Sequence, residues 1–379
     1  MSPFPMVQSI KNQIINGDAL EVLKTLPSDY VHCIITSPPY WGLRDYGKED
    51  QLGLESDPND YVDKLTAIFS EAKRVLRPDG TLWLNIGDSY AGNMSRASQG
   101  GRAGFGTKRE GVFKRIPETL KAKDLVGIPW RVAFALQSDG WYLRQDIIWH
   151  KPNAMPESVK DRCTKSHEHV FLLTKSPKYY FDKDAIAEKT VTYDDSIRNR
   201  DETKLNNTPG REKMQGLKKN NYMTKNKRDV WTIAAGHYKG AHFAAFPQNL
   251  IIPCIQAGTS EQGCCSLCGM PMSRELEITE EYKKLKGQGW KGKDKFKETG
   301  MRGVGSMPKV SETYRTVGWK KNCECDADVS PCIVMDIFMG SGTTAFVSKR
   351  LGRRYLGIEL NEEYVEIANN RLTQEELFI

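Results

Sequence analysis

Long apolar runs are missing. None of the 379 residues sits in a stretch approaching the roughly 18 consecutive apolar residues that a membrane-spanning helix needs. The amino-terminal segment MSPFPMVQSIKNQ also lacks the apolar core of a signal peptide. Both absences predict a cytoplasmic protein with no membrane partner. No internal repeat recurs along the chain. In a reducing compartment the nine cysteines do not form a disulfide framework; they are free thiols or metal ligands. Charge of one sign is not in large excess either. The net +7 suits simple solubility and is also compatible with a polyanionic partner.

What is present is an alternation of strands and helices. NQIINGDA reads as a strand ending at Gly17-Asp18, LEVLKTL as a helix and VHCII as a strand. Tyr61, Leu65, Phe69, Ala72 and Leu76 have helical spacing, and RPDG, with Gly80, stops that helix. TLWLNIG is a strand, IPWRVAFALQSDG an amphipathic helix, and WYLRQDIIW and HVFLLTK two further strands. The alternation resumes at the far end with CIVMDIF, TTAFVSKRLG, RYLGIEL and NEEYVEIANNRL. Repeated β-α units predict an α/β fold around a mostly parallel sheet. Three polar stretches break the rhythm: residues 91–116, 183–230 and 263–325. Solvated loops account for all three. A basic segment with interleaved Trp290, Phe296, Tyr314 and Trp319 also suits a nucleic acid backbone.

Two local patterns carry chemistry. In TSPPYWG, Pro38 and Pro39 end the preceding strand and stiffen the backbone, which leaves Ser37 and Tyr40 on a rigid lip. In open α/β sheets ligands bind at the carboxyl ends of strands. In VMDIFMGSGTTA, Gly340, Ser341 and Gly342 join a strand to a helix, and Glu359 ends the next strand. A carboxylate placed there can hydrogen-bond both ribose hydroxyls of a nucleoside cofactor. No lysine follows the last glycine, so this is not a P-loop. The third spaced glycine of the dinucleotide fingerprint is also missing, which points to a nucleoside cofactor without phosphates, such as S-adenosylmethionine.

Together, TSPPYWG, MDIFMGSGTT, GIEL and HFAAFPQNL resemble the amino-group DNA methyltransferases, which modify N4 of cytosine or N6 of adenine. The catalytic motif precedes the cofactor motif, the order of the β subgroup. Ile337 stands where the family usually has proline. The resemblance implies a Rossmann-like, S-adenosylmethionine-dependent fold with a seven-stranded, mostly parallel sheet and one antiparallel strand. WYLRQDIIW and HVFLLTK would be the last two strands. It implies a catalytic half over 1–182 and a cofactor half over 242–262 and 329–379; the polar stretch 183–241 between them, which the resemblance does not cover, is the target-recognition candidate. Ser37, Pro38, Pro39 and Tyr40 match the catalytic motif. Asp336, Phe338, Gly340, Ser341, Gly342, Thr343 and Thr344 match the cofactor loop, and Glu359 the ribose-binding acid. Asp18 matches an acid that reaches the adenine amino group, and Phe246 and Pro247 the segment closing over the methionine end.

The substrate so implied is double-stranded DNA, with the target base flipped out of the helix. Tyr40, aided by Trp41, would stack on that base. Ser37 Oγ and the Pro38 carbonyl would accept hydrogen bonds from its amine. Ser-Pro-Pro-Tyr is commoner among the N4-cytosine enzymes, so cytosine is favoured and N6-adenine is the alternative. A dehydrogenase, and a DNA-binding protein with an inactive methyltransferase core, fit the motifs less well. A cognate restriction endonuclease and a homodimer are partners that the resemblance implies.

Residues 263–328 hold Cys265-x-x-Cys268 and Cys323-x-Cys325, a pattern that suits four thiolates around a structural zinc that staples the insertion. Cys264 and Cys332 are alternative ligands. His167 and His169 read as loop histidines with ordinary hydrogen bonds.

Overall fold

The fold is that of a computed structural model, which describes residues 12–43, 51–92, 116–189, 224–236, 246–280, 283 and 314–376. Most of the 91–116 stretch, His242, Trp290 and Phe296 lie outside the described residues. Two compact units can be distinguished. The first comprises Met1–Ala185, Arg228–Pro271 and Cys323–Ile379, and the second Ile186–Lys227 and Met272–Asn322. The two insertions read from the sequence, 183–241 and 263–328, thus give their middles to the second unit. Their ends, including all four paired cysteines, belong to the first.

The first unit is built on one sheet. Its strands are β1 (Gln13–Asn16), β2 (Val31–Thr36), β3 (Leu76–Ile86), β4 (Tyr142–His150), β5 (His167–Thr174), β8 (Val230–Thr232), β13 (Ile333–Asp336) and β14 (Arg354–Glu359). Their spatial order is β1-β14-β13-β2-β3-β5-β4-β8. Only β5 runs against the rest, antiparallel to both β3 and β4. The sheet therefore has eight strands rather than seven. The extra one, the three-residue β8, pairs in parallel with the outer edge of β4.

Helices cover both faces, so the central strands read as continuous apolar runs. Every residue of β2, VHCIIT, is buried. On one face lie α1 (Ala19–Thr25), α2 (Pro58–Val75) and α3 (Ile128–Ser138). Leu23, Leu65, Phe69, Ala72 and Leu136 from these helices share a buried core with Ile34, Leu82 and Leu84 of the sheet. Burying each large member contributes about 1.5–3 kcal/mol. Asp57 caps α2 by accepting from the Asn59 N–H, and Pro58 suits the first turn, where an N–H would have no partner. On the other face lie α4 (Gln248–Gly258), α5 (Thr343–Arg350) and α6 (Glu362–Glu376). The end of α4 approaches the sheet closely at Gly258, where a Cβ would stand 2.6 Å from Thr81 Oγ1 and 2.8 Å from Cys33 Sγ.

RPDG does not cap α2. That helix ends at Val75, and RPDG lies within β3 as a bulge against β2: the β2 partner jumps from Leu76 to Thr81 across Val31 and Cys33. Gly80 is needed there because a Cβ would meet Leu76 Cδ1 at 2.6 Å and the His32 carbonyl oxygen at 3.0 Å.

The second unit holds two antiparallel pairs. β6 (Glu188–Lys189) pairs with β7 (Thr224–Lys225), and β10 (Ser273–Ile278) with β11 (Tyr314–Lys320). The two remaining short strands, β9 (Cys264–Cys265) and β12 (Val329–Ser330), pair within the first unit.

Candidate active site

The chain leaves β2 towards β3 on one side and β13 towards β14 on the other, so the strand order reverses between β2 and β13. A crevice opens at such a switch point, beyond the carboxyl ends of the strands. A cavity of about 570 Å³ lies there, lined by Gly17 and Asp18 after β1, the Ser37–Tyr40 lip after β2, Phe338–Ser341 after β13 and Glu359 at the end of β14. The two motifs, some three hundred residues apart in the chain, thus line one cavity. They are tied by a hydrogen bond from Thr36 Oγ1 to Asp336 Oδ1 at 2.7 Å.

On the β13–β14 side, Glu359 organises the glycine turn. Its Oε2 accepts from the Gly340 N–H at 2.7 Å and its Oε1 from the Asn361 N–H at 2.9 Å. Burial raises the pKa of its carboxyl. Gly340 and Gly342 both have left-handed backbones, with φ of 53° and 78°. At Gly342 a Cβ would stand 2.7 Å from Ala368 Cβ, so side chains are excluded there by space as well as by conformation. Ser341 and Thr343 line the cavity. The buried Ser341 hydroxyl has no partner within the described chain, an orphaned donor that a bound cofactor could satisfy.

Several expected cofactor residues stand behind the lining. Asp336 is 1% exposed. It accepts from Thr36, Phe338 N–H and Thr344 Oγ1, and burial pushes its pKa up to about 7. It braces the loop from beneath. Thr344 is its partner, and Gly342 and Pro247 flank α5 and α4 without lining the cavity. Phe246 does line it. Asp18 lines the cavity and also caps α1, its Oδ1 accepting from Leu20 and Glu21 N–H at 2.9 and 3.0 Å.

On the β2–β3 side, the lip is held from several directions. Tyr61 Oη donates to the Pro39 carbonyl at 2.8 Å, and the Tyr40 ring lies against Gly87, where a Cβ would come within 2.6 Å of Cε2. Ser37 Oγ donates to Tyr40 Oη at 3.3 Å, and Tyr40 Oη donates to Glu168 Oε2 at 2.8 Å. Glu168 is in turn ion-paired with Lys151 and accepts from Asn85 Nδ2. Burial, then the Glu168 charge, hold the Tyr40 phenol well above its ordinary pKa. Trp41 takes no part. It is buried in the core, with its indole N–H donating to the Glu55 carbonyl.

Glu168, Lys151, Asn85 and Gly87 are lining residues that the sequence motifs do not reveal. His167 also lines the cavity, with burial lowering its pKa, while His169 pairs with Asp146 at 2.9 Å. Both histidines stand on β5 rather than in a loop.

Residues 31–265 and 332–370 match the DNA methylase family of N6- and N4-methyltransferases. The chain belongs to this family. It is an S-adenosylmethionine-dependent DNA amino-methyltransferase of the restriction–modification type. Among curated relatives it is 41% identical to the type II methyltransferase M.Cfr9I of Citrobacter freundii over 363 residues, 96% of this chain and 88% of that one. It is 37% identical to M.SmaI of Serratia marcescens over 366 residues, covering 95% and 90%. Among solved structures it is similar in fold to the PvuII DNA methyltransferase (cytosine-N4-specific). The TM-score is 0.51 and the identity 16%, over 94% of this chain and 85% of that one.

Away from this cavity, the methylase brings Cys265, Cys268, Cys323 and Cys325 together, with all four sulfurs within 4.8 Å of one another. Cys264 and Cys332 do not join them. They form a separate buried trio with His32. Among the described residues of the methylase no helix is long and apolar enough to cross a membrane.

Proposed function

We propose that the protein methylates N4 of cytosine within a specific sequence of double-stranded DNA, acting on a base flipped into the cavity. The polarity of the hydrogen-bond chain that ends on Ser37 carries the reading as transfer to an exocyclic amine; the Ser-Pro-Pro-Tyr motif, commoner among the N4-cytosine enzymes, favours cytosine over adenine. Glu168, as a carboxylate, can only accept, so Tyr40 spends its one proton on it. Ser37 spends its own proton on Tyr40, which leaves only lone pairs at Ser37 Oγ to meet an incoming N–H.

An exocyclic amine is a poor nucleophile because its lone pair is delocalised into the ring. Acceptors aimed at its N–H bonds favour a more tetrahedral nitrogen and stabilise the positive charge that develops. Ser37 Oγ and the Pro38 carbonyl supply two such acceptors on a backbone that Pro39 and Tyr61 hold still. Tyr40 offers a ring on which the base can stack, worth about 1–3 kcal/mol per base. S-adenosylmethionine supplies a methyl group activated by its sulfonium. Glu359 would bind its ribose, with Asp18, Phe246 and the Gly340–Thr343 turn around it. Holding amine and methyl donor in one cavity gives the proximity that such a transfer needs. A restriction endonuclease with the same recognition sequence would be the partner of the system.

The test is to incubate the protein with S-adenosylmethionine and mixed genomic DNA, digest to nucleosides, and analyse by mass spectrometry. N4-methylcytosine is expected. N6-methyladenine would overturn the assignment of the base, and no methylated nucleoside would overturn the reading as a whole.

A further inference from the structure

We propose that Cys265, Cys268, Cys323 and Cys325 bind one structural zinc ion that closes the two ends of the Met272–Asn322 segment. Four thiolates around a tetrahedral zinc, at about 2.3 Å each, place the sulfurs about 3.8 Å apart. The sulfurs here already lie within 4.8 Å of one another, so small adjustments complete the sphere. Cys265 and Cys268 precede the segment and Cys323 and Cys325 follow it directly.

The first cysteine pair sits on a tight knuckle: Cys265 N–H donates to the Met270 carbonyl and Gly269 N–H to the Cys265 carbonyl, both at 2.9 Å. Gly269 has φ of 71°, and a Cβ there would collide with Arg77 Nη1 at 2.4 Å. The β3 bulge grips this knuckle. Arg77 donates to the Cys268 carbonyl at 2.8 Å while Asp79 holds its guanidinium.

The neighbouring trio of His32, Cys264 and Cys332 is not a second metal site. The Ile333 N–H donates to His32 Nδ1 at 3.1 Å, so Nδ1 is the acceptor and Nε2 carries the proton given to the Gly269 carbonyl at 2.9 Å. Both ring nitrogens are therefore committed to backbone. Cys264 Sγ donates to the Ser330 carbonyl.

Elemental analysis of the purified full chain should give about one zinc per protein. Cys268→Ser and Cys325→Ser should each lose it, since a serine hydroxyl does not replace a thiolate. Calorimetry should show S-adenosylmethionine affinity retained in both variants, because the cofactor residues lie elsewhere. Site-specific methylation should fall at least ~10-fold as the segment loses its closure. A metal-free wild type that still binds the cofactor would overturn the proposal. So would zinc retained in both variants, or iron in its place. Loss of methylation by the zinc-loaded wild type would instead count against the functional reading.

A separate observation concerns the loop between β4 and β5. Met155, on the rim of the cavity, is 84% exposed, the most exposed large apolar side chain among the described residues. Its loop is braced: Asn153 exchanges hydrogen bonds with the Ala235 backbone, Arg162 lies 3.7 Å from the Tyr90 ring and pairs with Glu157, and Lys123 pairs with Asp161. A rigid loop thus carries an apolar side chain into solvent beside the cavity that, on the functional reading above, receives the flipped base. Apolar wedges of this kind enter base stacks. We infer that Met155 fills the gap left in the duplex by the flipped base.

The test uses the recognition sequence mapped from methylated plasmid. Met155→Ala should lower turnover about 10-fold on a fully paired duplex. On a duplex with the target base mismatched, where flipping is already cheap, it should lower turnover by no more than about twofold. Met155→Leu should restore the paired rate. An equal loss on both duplexes, or no loss on either, would overturn the inference.

Discussion

Adding one methyl group at Gly87 should disable catalysis without unfolding the protein. The new Cβ of Gly87→Ala would stand 2.6 Å from Tyr40 Cε2, 3.1 Å from Cδ2 and 3.3 Å from Cζ. Carbon atoms settle at about 3.5–4.0 Å, so the ring must retreat by about 1 Å. Gly87 does not have a left-handed backbone, so alanine is conformationally acceptable there. Overpacking of this size costs about 1–3 kcal/mol of stability, which leaves the chain folded. Displacing a substrate-contacting group by about 1 Å is worth roughly 100-fold in rate. The turnover number for tritiated methyl transfer to duplex DNA should therefore fall ~100-fold. S-adenosylmethionine affinity, measured by calorimetry, should stay within about twofold, since the change reports on the acceptor side of the cavity. Turnover within about threefold of wild type would refute the role of the ring, as would an equal loss of cofactor affinity.

Tyr40→Phe keeps the ring but removes the proton given to Glu168, so turnover should fall about 10-fold. Tyr40→Ala, which also loses stacking, should fall at least a further ~10-fold; equal losses in the two would remove stacking from the account. Glu359→Ala should weaken S-adenosylmethionine binding by about 100-fold or more in calorimetry, and unchanged affinity would sink the ribose assignment. Asp336→Asn should change how thermal stability depends on pH. The folded-state pKa is raised from 3.8 to about 7, so the stability that the protonated carboxyl gives is complete below about pH 4, falls as pH rises from there, and is gone above 7. The variant cannot ionise, and by differential scanning fluorimetry it should gain on the wild type between about pH 4 and pH 7 and level off above that. A constant difference in Tm across that range would show that the group does not titrate there.

The sequence made both motifs legible because each is a short run of adjacent residues with its own backbone signature. Ser37–Tyr40 and Gly340–Ser341 reach the cavity by continuing their strands. Glu168, Lys151 and Asn85 could not be found this way. They are ordinary polar residues on β5, at the end of β4 and on β3, brought together only by the pairing of those strands. RPDG carries the same residues whether it ends a helix or bulges from a strand, and distant partners hold the bulge: Arg77 donates to the Cys268 carbonyl, Ser176 Oγ to the Pro78 carbonyl and the Tyr180 N–H to the Asp79 carbonyl. The three residues of β8 are too few to show alternation, so the eighth strand was invisible. Asp336 illustrates the converse. Its position in the motif suggests contact with the cofactor, yet its burial and two threonine partners make it a brace.

The placement of β2 has a consequence for how the chain is made. This fully buried strand finds one neighbour, β3, soon after it is synthesised. Its other neighbour, β13, is encoded some three hundred residues later. Until then one edge of an apolar, β-branched strand presents unpaired N–H and carbonyl groups, the template on which wrong pairings and aggregates grow. The same delay means that Thr36 cannot meet Asp336, and neither half of the cavity has its counterpart, until nearly the whole chain has emerged. The cavity is thus assembled as a late, non-local event of folding.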